Sequence, residues 1–181
     1  MRFAQYRSMQ AQVMQAVFKK VDKNQLGSVI SMMLTNLFQI MIEARANLTQ
    51  VGYVAGEEFP EFSDAKESLS KVFENTFMFG DLLLRRPTPI HVEYDQHTDW
   101  KDILTWAYYI CSKSGVFLPE EQQFLDLIAK ESGILPKDAN FQNPYLDDSE
   151  KPRKRFEDPK PAEKKKPKKI KRGPRIIHSE F

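Results

Sequence analysis

His91, Asp95, His97 and Asp99 fall within the segment HVEYDQHTD, and two imidazoles with two carboxylates are the donor set of a zinc site. Neither an HExxH spacing nor a cysteine accompanies them, so the stretch reads as a polar loop running into a helix, with no metal expected. The carboxylate pairs Glu57-Glu58 and Glu120-Glu121 fall in a loop and in a helical first turn, where solvated charge is the ordinary role. No glycine-rich phosphate loop, nucleophile elbow or CxxC occurs in the sequence, and no catalysis or cofactor is expected. Cys111 is the only cysteine; it excludes an internal disulfide and reads as packing on an apolar helix face.

Three further stretches carry chemistry of recognition. Lys164–Arg172, KKKPKKIKR, reads as a solvated linker, a phosphate-holding polycation or a nuclear address. It lacks interleaved aromatics, so base-specific nucleic-acid readout is not expected. The C-terminal His178, Ser179, Glu180 and Phe181 resemble an H-D-E-L-type endoplasmic-reticulum retention signal, with His178 and Glu180 matching. Asn47-Leu48-Thr49 is an N-glycosylation sequon, meaningful inside the secretory pathway.

The chain has 181 residues, enough for one domain and a tail. Residues 147–181 hold 13 Lys and Arg against 7 Asp and Glu, while residues 1–146 hold 14 against 18. An acidic body is thus joined to a basic tail. Within the body, Val29–Ile42 is the densest apolar run, VISMMLTNLFQIMI, and reads as the central helix of a bundle. It is too short and too closely bracketed by polar residues for a membrane span, and none is expected.

An amphipathic helix is expected over residues 3–22, continuing or kinking gently into the central one. After a loop at 52–62, Ser63 or Asp64 opens a third helix with Leu69, Val72, Phe73, Thr76, Phe77, Gly80, Leu83 and Leu84 inward. Gly80 there costs ~1 kcal/mol against alanine and implies close approach of another helix. Pro87 and Pro89 end that element. A fourth helix buries Trp100, Ile103, Leu104, Ala107, Ile110 and Cys111 and stops at Gly115. A fifth opens at Pro119, turns Phe124, Leu127 and Ile128 inward and stops at Gly133. The expected class is all-α: one bundle of about five helices over 1–146, then a disordered Lys/Pro/Glu-rich tail over 147–181.

Asn140, Phe141, Gln142, Asn143, Pro144 and Tyr145 lack periodicity and form either a docking edge for a partner or a seal on the bundle. This segment, together with Glu74-Asn75-Thr76, Phe79-Gly80-Asp81, Cys111 with Gly115-Val116-Phe117, and Gly173, Pro174, Arg175 and Ile176 after the lysine-rich tail, resembles the coiled-coil domain-containing protein 134 family. The likeness runs over nearly the whole chain. It implies a helical, non-enzymatic protein of the endoplasmic-reticulum lumen that binds the chaperone endoplasmin. The family shields endoplasmin from excess N-glycosylation and degradation during its synthesis, near the translocon and oligosaccharyltransferase. Retention by a KDEL-type receptor follows from the terminal tetrapeptide, and Phe181 in the place of leucine leaves partial secretion open. Gly173–Ile176 joins Asn140–Tyr145 as a candidate partner-binding segment. Relatives can carry a sequon just after the matched cysteine, where Ser112-Lys113-Ser114 stands here, so Asn47 is a different site. The first residues, MRFAQYRSMQAQ, hold no secretory leader, and a trimmed or incomplete N-terminus is expected. The competing readings are a nuclear adaptor working through the basic tail and a secreted helical signalling factor.

Overall fold

A computed structural model describes residues 24–58, 60 and 63–151, together with Met9, Gln12, Ala16, Phe18, Lys20, Val21 and Asp22. The described chain is all-α, with helices α1 (Leu26–Gln50), α2 (Ser63–Arg85), α3 (Pro87–Tyr94), α4 (Thr98–Lys113) and α5 (Pro119–Glu131). Most of the expected helix over 3–22, and the whole of 152–181, lie outside the described residues. The passage into α1 is a turn, closed by the Gln25 amide donating to the Asp22 carbonyl at 2.9 Å, so the run is not continuous there.

α1 buries one stripe, Ile30, Leu34, Leu37, Phe38, Met41, Ala44 and Leu48, at the three- and four-residue spacing of a helix face. By length and composition alone it is apolar enough to cross a membrane. Its buried stripe nonetheless packs on α2, α3 and α4. α2 packs closely on all four of the other helices. From Phe79 to Leu84 all six of its residues are buried, Asp81 included. The expected central position of Val29–Ile42 is therefore corrected: α2 is the hub. The reason is its neighbours, because α1 leaves Met32 69 % exposed despite its higher apolar content.

Gly80 makes the hub possible. A Cβ there would collide with the Ile128 side chain of α5 and stand 3.2 Å from Cε1 of Phe124. The close helix approach expected from this glycine is what the bundle shows. Two aromatic clusters then join the helices. Phe38 of α1 stacks on Trp100 of α4 at 4.7 Å and meets Phe79 of α2 edge-on at 5.2 Å. Phe77 of α2 stacks on Phe124 of α5 at 5.7 Å, and Phe117 sits 4.9 Å from both Phe73 and Phe77. Such pairs add about 0.5–1.5 kcal/mol each beyond their buried area.

α4 buries the six residues expected of it, and α5 buries Phe124 and Ile128 with Leu125 and Ala129, leaving Leu127 half-buried. Gly115 and Gly133, at φ +68° and +84°, make the left-handed turns that stop them. α3 is the element the sequence reading lacked. Pro87 and Pro89 do end α2, but Pro87 also starts a new helix at its first position, where the missing N–H costs nothing and φ is already helical. The first half of the expected His91–Asp99 loop is accordingly helical, with Ile90 and Tyr94 buried.

Candidate functional site

A helix C-terminus leaves its last carbonyls without intrahelical partners, and α2 ends at the buried Leu84 and half-buried Arg85. Residues 140–151 supply what is missing. The Asn143 Nδ2 donates to the Leu84 carbonyl at 2.6 Å, and the Asn143 Oδ1 accepts the Tyr145 amide at 3.0 Å across Pro144. The Asp147 amide donates to the Arg85 carbonyl at 3.0 Å, and the Arg86 Nε donates to the Asp147 carboxylate at 3.0 Å. Glu150 reaches on to α3, accepting the Thr88 amide at 3.4 Å in a first turn whose two prolines offer no N–H. A carboxylate there also suits the positive end of the helix. The segment is thus a strap over the α2–α3 junction, and it stays attached through Lys151, past the boundary expected at 146.

The strap divides its side chains. Tyr145 meets Phe124 edge-on at 5.2 Å, and Lys137 lies over the Phe141 ring at 5.3 Å from its centroid. Phe141 and Asn143 are half-buried, whereas Asn140, Gln142 and Pro144 are exposed and Tyr145 is 38 % exposed. Of the two readings of Asn140–Tyr145, sealing is what Asn143 and the Tyr145 ring do; Asn140 and Gln142 form the outward edge. Sequence reasoning missed Asp147 and Glu150 in this role. The one signal available was Pro87-Thr88-Pro89, whose two prolines leave the Thr88 amide in need of an outside acceptor.

The His91–Asp99 cluster resolves into ion pairs. His91 Nδ1 faces Asp95 at 3.1 Å and its Nε2 faces Glu131 of α5 at 3.7 Å, while His97 lies 3.8 Å from Glu93 and from Asp99. Glu131 above all, then Asp95, hold the His91 imidazolium above its ordinary pKa against the opposing effect of burial. The same contact, with Lys137 at 3.0 Å, holds Glu131 below the usual carboxylate range. This group ties α3 to α5. Among the described residues no three His, Cys, Asp or Glu side chains converge as a metal set. Glu57 and Glu121 act as caps, accepting the Val54 and Leu118 amides at 3.0 Å each. Cys111 is fully buried, which pushes its thiol up to about 12, so no reactive thiolate forms near neutral pH.

Asn47 is exposed near the C-terminal end of α1, its Nδ2 3.5 Å from the Ser68 Oγ. It sits between two open hollows of the α1–α2 face, of about 400 and 330 Å³. The remaining candidates, Gly173–Ile176, His178–Phe181 and Lys164–Arg172, lie outside the described residues.

Comparison with known proteins places these features in context. A family profile described as "ERK and JNK pathways, inhibitor" matches residues 1–177. Coiled-coil domain-containing protein 134 of Xenopus tropicalis is 33 % identical over 129 residues, 71 % of this chain and 56 % of the relative. The protein of that name from Mus musculus is 32 % identical over 128 residues, 70 % of this chain and 56 % of the relative. The matched stretch thus spans little more than half the length of these curated relatives. No solved structure matches.

Proposed function

We propose, from the premise that the chain belongs to the ERK and JNK pathways inhibitor family and is a relative of coiled-coil domain-containing protein 134, that it is a non-enzymatic binding protein of the endoplasmic-reticulum lumen. In this reading it holds endoplasmin during synthesis, near the translocon and oligosaccharyltransferase, and limits that chaperone's glycosylation and degradation. The observation that carries the reading is the likeness to coiled-coil domain-containing protein 134, 33 % and 32 % identical over 129 and 128 residues. The terminal His178–Phe181, resembling a retention signal, supports a lumenal address read by a KDEL-type receptor.

The physical division of labour follows from the body and the tail. The strap is pinned by Asn143 and Asp147, so Asn140 and Gln142 present a fixed polar edge that orders no new backbone on contact. A Lys-rich segment adds charge complementarity toward an acidic partner, which chiefly raises the encounter rate. The test is immunoprecipitation of the tagged full chain from cross-linked microsomes. Endoplasmin should co-purify with protease-protected chain. Protected chain without endoplasmin would remove the partner, and chain accessible to protease would remove the address.

A second reading rests on the family's printed description, that of an inhibitor of the ERK and JNK pathways. It predicts lower ERK and JNK phosphorylation in cells treated with the purified protein. Unchanged phosphorylation across a concentration series would dismiss it.

A further inference from the structure

The geometry points to Asn47 as an N-glycan acceptor that is open only before α1 packs against α2. Asn47-Leu48-Thr49 is the chain's one Asn-x-Ser/Thr tripeptide without proline in the middle, so a glycan of this type has one place to go. In the fold, all three residues are helical. An acceptor site must hold the Asn carboxamide and the Thr hydroxyl together, yet residues two apart on a helix point ~200° away from each other. The Thr49 Oγ1 is also committed, donating to the Arg45 carbonyl at 2.8 Å. Leu48 between them is 1 % exposed, so re-forming the tripeptide as an extended strand would pull a core residue out of the bundle. The folded state therefore withholds the sequon from the transferase.

The folded state does accommodate the product. Asn47 is exposed, and the long contact to Ser68 at 3.5 Å is all its Nδ2 would surrender. Asn36, Glu43 and Asn75 line one adjoining hollow and Gln50, Asp64 and Glu67 the other, which gives a first sugar a polar bed. In the transfer, a polyprenyl-pyrophosphate-linked oligosaccharide supplies the sugar. A bond forms from the Asn47 Nδ2 to the anomeric carbon, the bond from that carbon to the pyrophosphate oxygen breaks, and one amide proton leaves to solvent. Occupancy of Asn47 then records how long α1 waited for α2 after emerging into the lumen.

The inference rests on the lumenal address proposed above, and its test separates the two. The full chain is translated behind a cleavable leader into microsomes, which enforces delivery. A single glycosidase-sensitive species is expected, lost in Asn47→Gln and Thr49→Ala and kept in Thr49→Ser. Protease-protected chain with no such species overturns the acceptor. Solubilised transferase and lipid-linked oligosaccharide are then offered either the purified folded chain, unglycosylated, or a Phe79→Asp, Leu83→Asp variant that cannot close the α2 core. Transfer to the folded form should be more than about tenfold slower, because the native state opens rarely. Equal rates overturn the timing. The endogenous protein found outside the lumen would sink the address and leave both of these results standing.

Discussion

α1 and α2 are of similar length, 25 and 23 residues, and use their side chains in opposite ways. α1 holds the densest apolar run of the chain and leaves Met32 69 % exposed. α2 carries Asp64, Lys66, Glu67, Lys71, Glu74, Asp81 and Arg85, and still buries Phe79, Leu82, Leu83 and Leu84 to 2 % or less. The difference teaches that the hub of a bundle is set by how many neighbours a helix has, not by how apolar it is. α2 packs on α1, α3, α4 and α5, so even Asp81, at 6 % exposure, is enclosed beside Arg85.

The sharpest way to break that contrast is a pair of truncations. Phe79→Ala should cost about 3–5 kcal/mol in urea unfolding, as a large buried ring leaving a cavity. Met32→Ala should stay within about 0.5 kcal/mol, as a surface change. Equal costs would mean that α1 shares the hub. Gly80→Ala comes next. Helix propensity favours alanine by ~1 kcal/mol, but the collision with Ile128 in a packed interior should reverse the sign and cost about 1–3 kcal/mol. A more stable variant would show that α2 and α5 are not in close approach.

Removing the strap's clip should weigh less. Asn143→Ala leaves the Leu84 carbonyl unpaired and should cost about 1–2 kcal/mol, with faster amide exchange at Tyr145 and Asp147 and unchanged exchange along α1. Exchange that stays slow would mean the strap is held by other contacts. The smallest effect is electrostatic. His91 has its pKa raised on folding, so its contribution is complete below about 6.5 and disappears as pH climbs through the folded value. Glu131 has its pKa lowered, so its contribution is complete above about 4.5 and disappears as pH falls through the folded value. The α3–α5 tie is therefore strongest between those limits, and His91→Gln should flatten the decline in melting temperature above pH 6.5. An unchanged slope in the variant would assign the decline elsewhere.

Much of this bundle was legible in the sequence because period, breakers and caps are local. The inward faces of α4 and most of those of α2 and α5 follow from three- and four-residue spacing, and Gly80 announced its neighbour through its missing side chain. The hub was not legible, because hydropathy is a property of one helix and burial depends on the others. α3 escapes a local reading because Pro87 and Pro89 signal the stop of α2, whereas Pro87 both stops one helix and starts the next. The strap was legible only in half. Asn143 and Tyr145 stood out as a motif, but their partners at Leu84 and Phe124 lie 59 and 21 residues away in the chain. The carbonyls they satisfy carry no sequence letter.

The functional account turns on whether the chain governs the fate of endoplasmin, and the glycoforms of that chaperone measure it most directly. In cells lacking this protein, newly made endoplasmin should show additional glycosidase-sensitive bands and a shorter half-life, and re-expression of the full chain should restore both. Endoplasmin with the same bands and the same half-life in the presence and absence of the chain would contradict the account.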